Sequence, residues 1–206
     1  MSRKSKPDFL SQSLNSEAFK FIPLILLLVG TIIFLSIYTE RFLTIGNLLN
    51  VFRQISYSTI LALGLGMVVL TGGMDLSLGN IAALVGIICA SSLGAGTNTY
   101  LALLYGIVAG VFCGCVNGAM VSYIGIPPFL QTLAMCFVTQ GVTFLWTRGY
   151  PIYEGFTPQF LFLGVGYILG IPTPVIILLI CFFLAYLFIS STSYGRYIYA
   201  LGNNEE

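Results

Sequence analysis

Histidine is absent from all 206 residues. With it go His-ligated haem, most zinc sites and any Ser–His or Cys–His catalytic pair. Charge is scarce too. Asp, Glu, Lys and Arg together make 7% of the chain, against about 25% in a soluble domain. Hydrophobic residues make 57%, so the composition is that of an integral membrane protein. A net charge of +1 argues against a nucleic-acid partner, since such proteins show a basic stripe. No Gly-x-x-x-x-Gly-Lys-Ser/Thr loop occurs, so any ATP must be bound by another chain. No nucleophile–base pair can be assembled from these residues, which argues against a membrane enzyme. The five cysteines, Cys89, Cys113, Cys115, Cys136 and Cys181, all lie inside apolar runs. Cys113 and Cys115 are two apart on an expected helix and point to nearly opposite faces, so they form no metal fork. They read as small buried hydrophobes.

What is present is a series of apolar runs. Residues 1–20 are polar and carry Arg3, Lys4, Lys6 and Lys20. Phe21–Tyr38 follows, close to the ~20 residues that cross a bilayer. It is longer than a signal-peptide core and has no small-residue cleavage site, so it reads as an uncleaved first span. Five more runs follow: Ser56–Leu70, Leu78–Leu93, Tyr100–Ile124, Pro128–Trp146 and Pro174–Ser190. The second and third are short. Both a pair of true spans and a broken pair meeting near mid-membrane fit them. The expected fold is an all-α polytopic bundle of about six spans. Its parts are a cytoplasmic segment 1–20, a transmembrane domain 21–192 and a final segment 193–206.

Four of the eight basic residues precede the first span, which places the N-terminus inside. Six spans return the C-terminus inside, and Arg196 agrees. Arg41 and Arg53 then fall in an outside loop, against the trend. The longest loop, Arg148–Thr173, is also outside. Its Glu154, prolines and aromatics fit an ordered loop on the membrane surface that could contact a partner.

Asp75 is the only charged residue between Arg53 and Arg148. An acid at the bilayer centre costs roughly 2.5–3.5 kcal/mol on insertion scales. Three readings fit it: a cap at the membrane boundary for a helix starting near Ser77, a residue lining or gating a pathway, or a proton or cation coupling site. Coupling normally uses several acids or a histidine. Asn80, Asn117, Gln131 and Gln140 lie within or near apolar runs and each needs a hydrogen-bond partner there. They either bond between helices or line a polar pathway; neutral donors and acceptors would suit a sugar. Gly106, Gly110, Gly114 and Gly118 repeat every four residues and form one ridge on a helix. That ridge is a packing surface for another helix, and Gly114→Leu is expected to disrupt it.

Several stretches together carry a family likeness. They are Phe42-Leu-Thr-Ile-Gly-Asn-Leu-Leu-Asn50, Leu70-Thr-Gly-Gly-Met-Asp-Leu-Ser-Leu-Gly79, Ile126-Pro-Pro-Phe129 with Thr132-Leu133, Phe162-Leu-Gly-Val-Gly166 with Gly170-Ile-Pro-Thr-Pro174, and Tyr194-Gly-Arg-Tyr-Ile-Tyr-Ala-Leu-Gly-Asn-Asn-Glu-Glu206. In this order they resemble the membrane-spanning permease of ribose-type sugar ABC importers, a multi-pass subunit of the bacterial inner membrane. The second resembles that family's Gly-Gly-Ile-Asp-Leu-Ser-Val-Gly signature. The likeness runs from about residue 20 to the end.

The resemblance implies a pathway formed by two permease copies or two related permeases. It implies a cytosolic ATPase pair that binds the ATP, and a periplasmic sugar-binding protein that delivers substrate. This chain itself would need no cofactor. Arg148, Tyr150, Tyr153 and Glu154 become candidate contacts for the binding protein. Gly202, Asn203, Asn204, Glu205 and Glu206 become the start of the ATPase-facing segment; Asn203 stands where the family more often has Gly. The family's permease runs to about ten spans of roughly 20 residues each, so the chain reads as a truncated or partial permease. Rival expectations are a permease of the same superfamily for another solute such as branched-chain amino acids, an ion-coupled secondary transporter, and a non-transporting membrane anchor.

Overall fold

The computed structural model describes residues 21–202. The expected cytoplasmic segment 1–20 and the coupling candidates Asn203, Asn204, Glu205 and Glu206 lie outside the described residues. The chain divides into two units, Met1–Val51 and Phe52–Glu206. In the first, helix α1 (Ile22–Tyr38) has Pro23 in its first turn, where a missing N–H costs nothing, and no buried residue. A short turn follows, in which Asn47 Nδ2 donates to Phe42 O at 2.8 Å and Thr44 Oγ1 donates to Arg41 O at 2.8 Å. The turn leads into helix α2 (Ile45–Leu70).

Helix α2 corrects one expectation. It is 26 residues long, a rise of about 39 Å, and it starts eleven residues before the expected Ser56. Arg53, expected in a loop, is inside it. Among the described residues four helical stretches are long and apolar enough to cross a membrane: α2, Thr99–Ile124, Pro128–Thr147 and Thr173–Ser191. Helix α1 and helix α3 (Leu78–Gly94) have 17 residues each, a rise of about 25 Å. Of the pair flanking Asp75, then, only α3 is short.

In the second unit α3 packs against both α4 (Thr99–Ala119) and α5 (Pro128–Thr147). Ile81, Leu84, Cys113 and Met135 form the buried centre, with Val85, Ile88 and Val116 packed around it. Lipid tails are as apolar as these side chains, so close van der Waals fit and interhelical hydrogen bonds hold the helices together. The glycine ridge divides here. A Cβ on Gly106 would meet Cys89 Sγ at 2.5 Å and Val85 Cγ1 at 3.1 Å, and one on Gly110 would meet Val85 Cγ2 at 3.4 Å. At Gly114 and Gly118 a Cβ would meet nothing within 4 Å. The packing expected of Gly114 is therefore made by Gly106, because the two helices approach closely over only part of the ridge.

Helix α4 runs on into a π-helical turn, Met120–Ile124, which ends at Gly125 with φ +77°. Pro127 and Pro128 then open α5. The loop after α5 is ordered. Helix α6 (Pro158–Val165) is capped by Thr157, whose hydroxyl accepts from Phe160 N at 3.3 Å. Strands β1 (Tyr167–Ile168) and β2 (Ile171–Pro172) form a hairpin that leads into α7 (Thr173–Ser191). Its two turn residues, Leu169 and Gly170, have φ +51° and +82°, the sign that a right-twisted two-residue hairpin requires. Helix α8 (Ser193–Gly202) closes the described chain.

Thr99 and Thr157 hydroxyls meet at 2.7 Å, and Gly155 abuts the backbone of Gly94. The 148–172 loop thus lies at the end of α3 marked by Gly94. Tyr57 Oη donates to Gly164 O at 2.7 Å, Arg53 Nη2 donates to Val165 O at 3.4 Å, and its guanidinium lies 5.0 Å over the Tyr167 ring. These contacts tie α2 to the loop. Tyr57→Phe should loosen it by about 1 kcal/mol, read as faster hydrogen exchange of amides 164–168 with unchanged exchange in α5.

Candidate functional site

The residues 71–77 are a helix stop joined to a helix start. Gly72 N donates to Val69 O at 2.9 Å and Gly73 N donates to Val68 O at 3.1 Å, the Schellman pair that satisfies the last carbonyls of α2. Gly72 has φ +78°, which a glycine adopts without strain. Two residues later Asp75 Oδ1 accepts from Ser77 N at 2.7 Å and from Ser77 Oγ at 2.6 Å. Asp75 thereby turns the chain into α3, acting from two residues ahead of the cap position, Ser77. Ser77 is completely buried at 0% exposure.

A relay of polar side chains leads away from this turn. Asn117 of α4 donates Nδ2–H to Ser77 Oγ at 3.0 Å. Gln131 of α5 donates Nε2–H to Asn117 Oδ1 at 3.2 Å. Ser77 accepts from Asn117, so its own single proton goes to Asp75. Every donor in the relay points toward that carboxylate. Each such interhelical bond is worth about 0.6 kcal/mol in membrane. The arrangement also ties three helices at one point. Thr132, 4% exposed, clamps the same turn: its Oγ1 accepts from Leu76 N at 3.3 Å and lies 2.9 Å from Pro128 O and 3.2 Å from Met74 O.

A cavity of about 400 Å³ opens beside the relay. Its wall includes Thr71, Asp75, Asn117 and Thr132, and the backbone of Gly114 and Gly118. The open space at those two glycines is part of this cavity. Among the described residues no basic side chain lines it. Asn117 lies about 10 Å of helix rise short of Ile124, so the site is recessed from the end of that helix. It is at the end of α3 opposite Gly94. Gly202 of α8 stands at the same end, pressed against the Leu70 carbonyl that closes α2.

The structure brings three of the four expected pathway residues, Asp75, Asn117 and Gln131, into one relay. Gln140 is not among them; it is exposed on α5. Asn80 bonds elsewhere between helices, to Cys136 O at 3.0 Å and Cys136 Sγ at 2.9 Å. Sequence reasoning took Ser77 only as the start of a helix and Thr132 only as part of a family motif, and gave neither a place in the site, although the Asp-x-Ser spacing is itself a turn signal. Arg148, Tyr150, Tyr153 and Glu154 are exposed in the loop at the other end. Leu169 joins them at the hairpin tip, 99% exposed. Among the described residues no group of three or more Cys, Asp or Glu side chains could hold a metal ion.

A family model described as the permease component of branched-chain amino acid transport systems matches residues 47–206. Among curated proteins, the ribose import permease protein RbsC of Escherichia coli (strain K12) is 41% identical over 88% of this chain and 57% of its own length. RbsC of Haemophilus influenzae is 37% identical over 92% of this chain and 58% of its own. RbsC of Bacillus subtilis is 36% identical over 85% and 55%. The chain thus spans a little over half the length of these relatives. No solved structure matches it.

Proposed function

The chain belongs to the family of permease components of branched-chain amino acid transport systems, and from that premise we propose that it forms part of the translocation pathway of an ATP-driven importer for a ribose-like monosaccharide. The observation that carries the solute class is the 41% identity over 88% of the chain to a ribose import permease. The family description is broader than these relatives and names amino acids, so a branched-chain amino acid is the second reading. The relatives weigh more, because the three compared are all ribose permeases, at 36–41% identity over 85–92% of the chain.

The place of the protein is the bacterial inner membrane, which it crosses several times. In this reading a separate cytosolic ATPase binds the ATP and drives the cycle. A periplasmic sugar-binding protein delivers the solute, and a second permease copy completes the pathway. The exposed Arg148, Tyr150, Tyr153 and Glu154 are the delivery face. The segment from Gly202 through Glu206 begins the ATPase face. The contact of Gly202 with the end of α2 supports a direct mechanical link between that segment and the Asp75 turn.

Two experiments test this. In the full-length protein assembled with its partners, labelled ribose and labelled leucine are offered through their respective binding proteins. Ribose uptake without leucine uptake is expected; the reverse would establish the second reading. For orientation, Leu169→Cys should react with a membrane-impermeant thiol reagent added to the periplasmic side. Labelling from the cytoplasmic side alone would invert the topology.

A further inference from the structure

We propose that the cavity beside Asp75 is a resting site for the transported polyol at the α8 end of the permease, with Asp75 Oδ2 as its principal hydrogen-bond acceptor. The inference rests on the sugar-permease reading and gives it a place in the structure. Four observations lead to it.

The first is volume. The cavity holds about 400 Å³, within the roughly 300–1,000 Å³ of small-molecule sites. The second is how the space is made. Gly114 and Gly118 face it with nothing within 4 Å of a would-be Cβ. The other half of the same ridge, Gly106 and Gly110, is in contact with α3. One glycine row therefore serves packing at one end and vacant room at the other.

The third is unused bonding capacity. Asp75 Oδ1 takes both hydrogen bonds from Ser77. Oδ2 receives none from the described residues, although a carboxylate oxygen accepts two. Nor does any described cation pair with Asp75. The carboxylate is held rigid by the relay from Gln131 through Asn117 and Ser77, with one oxygen left for a donor from elsewhere.

The fourth is the chemistry of the wall. Thr71, Asn117 and Thr132 supply neutral hydroxyl and amide groups. A polyol, whose every hydroxyl donates and accepts, is served by such a wall. Anions find no basic group among the described residues and face an acid instead, and an amino acid whose ammonium pairs with Asp75 leaves its carboxylate without a cationic partner. The wall thus favours a sugar over a free amino acid.

The test uses the full-length permease assembled with its ATPase and binding protein in proteoliposomes. Gly114→Leu fills the cavity from a position with free space, and Gly64→Leu, at another open glycine outside the cavity, controls for added bulk. Ribose uptake should fall about tenfold or more in Gly114→Leu, with normal assembly and normal uptake in the control. A second measurement uses Gly114→Cys in a permease whose native cysteines have all been replaced. Ribose should slow its modification by a small thiol reagent, and leucine should not. Wild-type uptake of ribose together with undiminished uptake by Gly114→Leu would overturn the cavity site while leaving the permease reading intact. Absence of ribose protection at 114 in a complex that carries ribose would also overturn it. A wild-type complex that carries no ribose would instead remove the reading on which the site rests.

Discussion

Gly106→Leu should remove most of the folded protein from the membrane. The ridge touches α3 here: a Cβ would stand 2.5 Å from Cys89 Sγ and 3.1 Å from Val85 Cγ1. Cys89 cannot swing freely, since its Sγ donates to Ala102 O at 3.3 Å in a buried setting. Four added carbons must separate α3 from α4. Overpacking of a close-packed core costs about 1–3 kcal/mol and more when backbone must move. Without a hydrophobic force between helices in lipid, little else compensates. The expected readout is a several-fold drop in monodisperse protein after detergent extraction. Gly114→Leu should extract like the wild type. Equal yields for Gly106→Leu and wild type would show that the ridge does not carry the α3–α4 contact.

Asp75→Ala should destabilise the protein almost as strongly, by a different route. The change leaves the N–H and O–H of Ser77 without an acceptor at a position with 0% exposure. Each buried unsatisfied group costs about 1–3 kcal/mol. The turn between α2 and α3 loses its lock, and Asn117 and Gln131 lose the end of their relay. Asp75→Asn keeps an oxygen where Oδ1 stands, so it should recover most of the stability. Melting curves in detergent read the difference: Asp75→Ala well below Asp75→Asn, and Asp75→Asn close to wild type. If both variants melt together at the wild-type temperature, the turn is not held by this carboxylate.

The contrast between these two sites shows what the sequence could and could not disclose. The last three spans were legible almost to the residue, because long apolar runs were bounded by Pro127–Pro128 and by Pro172 and Pro174. Helix α2 was not. Asn47, Asn50, Arg53 and Gln54 interrupt its first half, so no continuous apolar run marks it. Arg53 and Tyr57 belong in the helix because the loop after α5 supplies their partners, and such partners lie more than a hundred residues away.

The same limit applies to the site. Asp75, Asn117 and Gln131 were conspicuous as polar groups in an apolar chain, each owing a hydrogen bond. Their common relay depends on the relative register of three helices, which periodicity within one helix does not specify. Gln140 looked equivalent to Gln131 and is exposed instead. The glycine row was equally visible. Which of its members pack follows from where two helices diverge, a property of their crossing.

We propose that ATP drives a ribose-like sugar through the pathway to which this chain contributes. The most direct test is uptake of labelled ribose by the full-length permease, reconstituted in proteoliposomes with its ATPase and binding protein. The expected result is uptake that requires ATP inside and binding protein outside, and that persists when an uncoupler abolishes the proton gradient. Uptake that collapses with the uncoupler while ATP remains high would identify an ion-coupled carrier, and uptake that proceeds without ATP would rule out an ATP-driven importer.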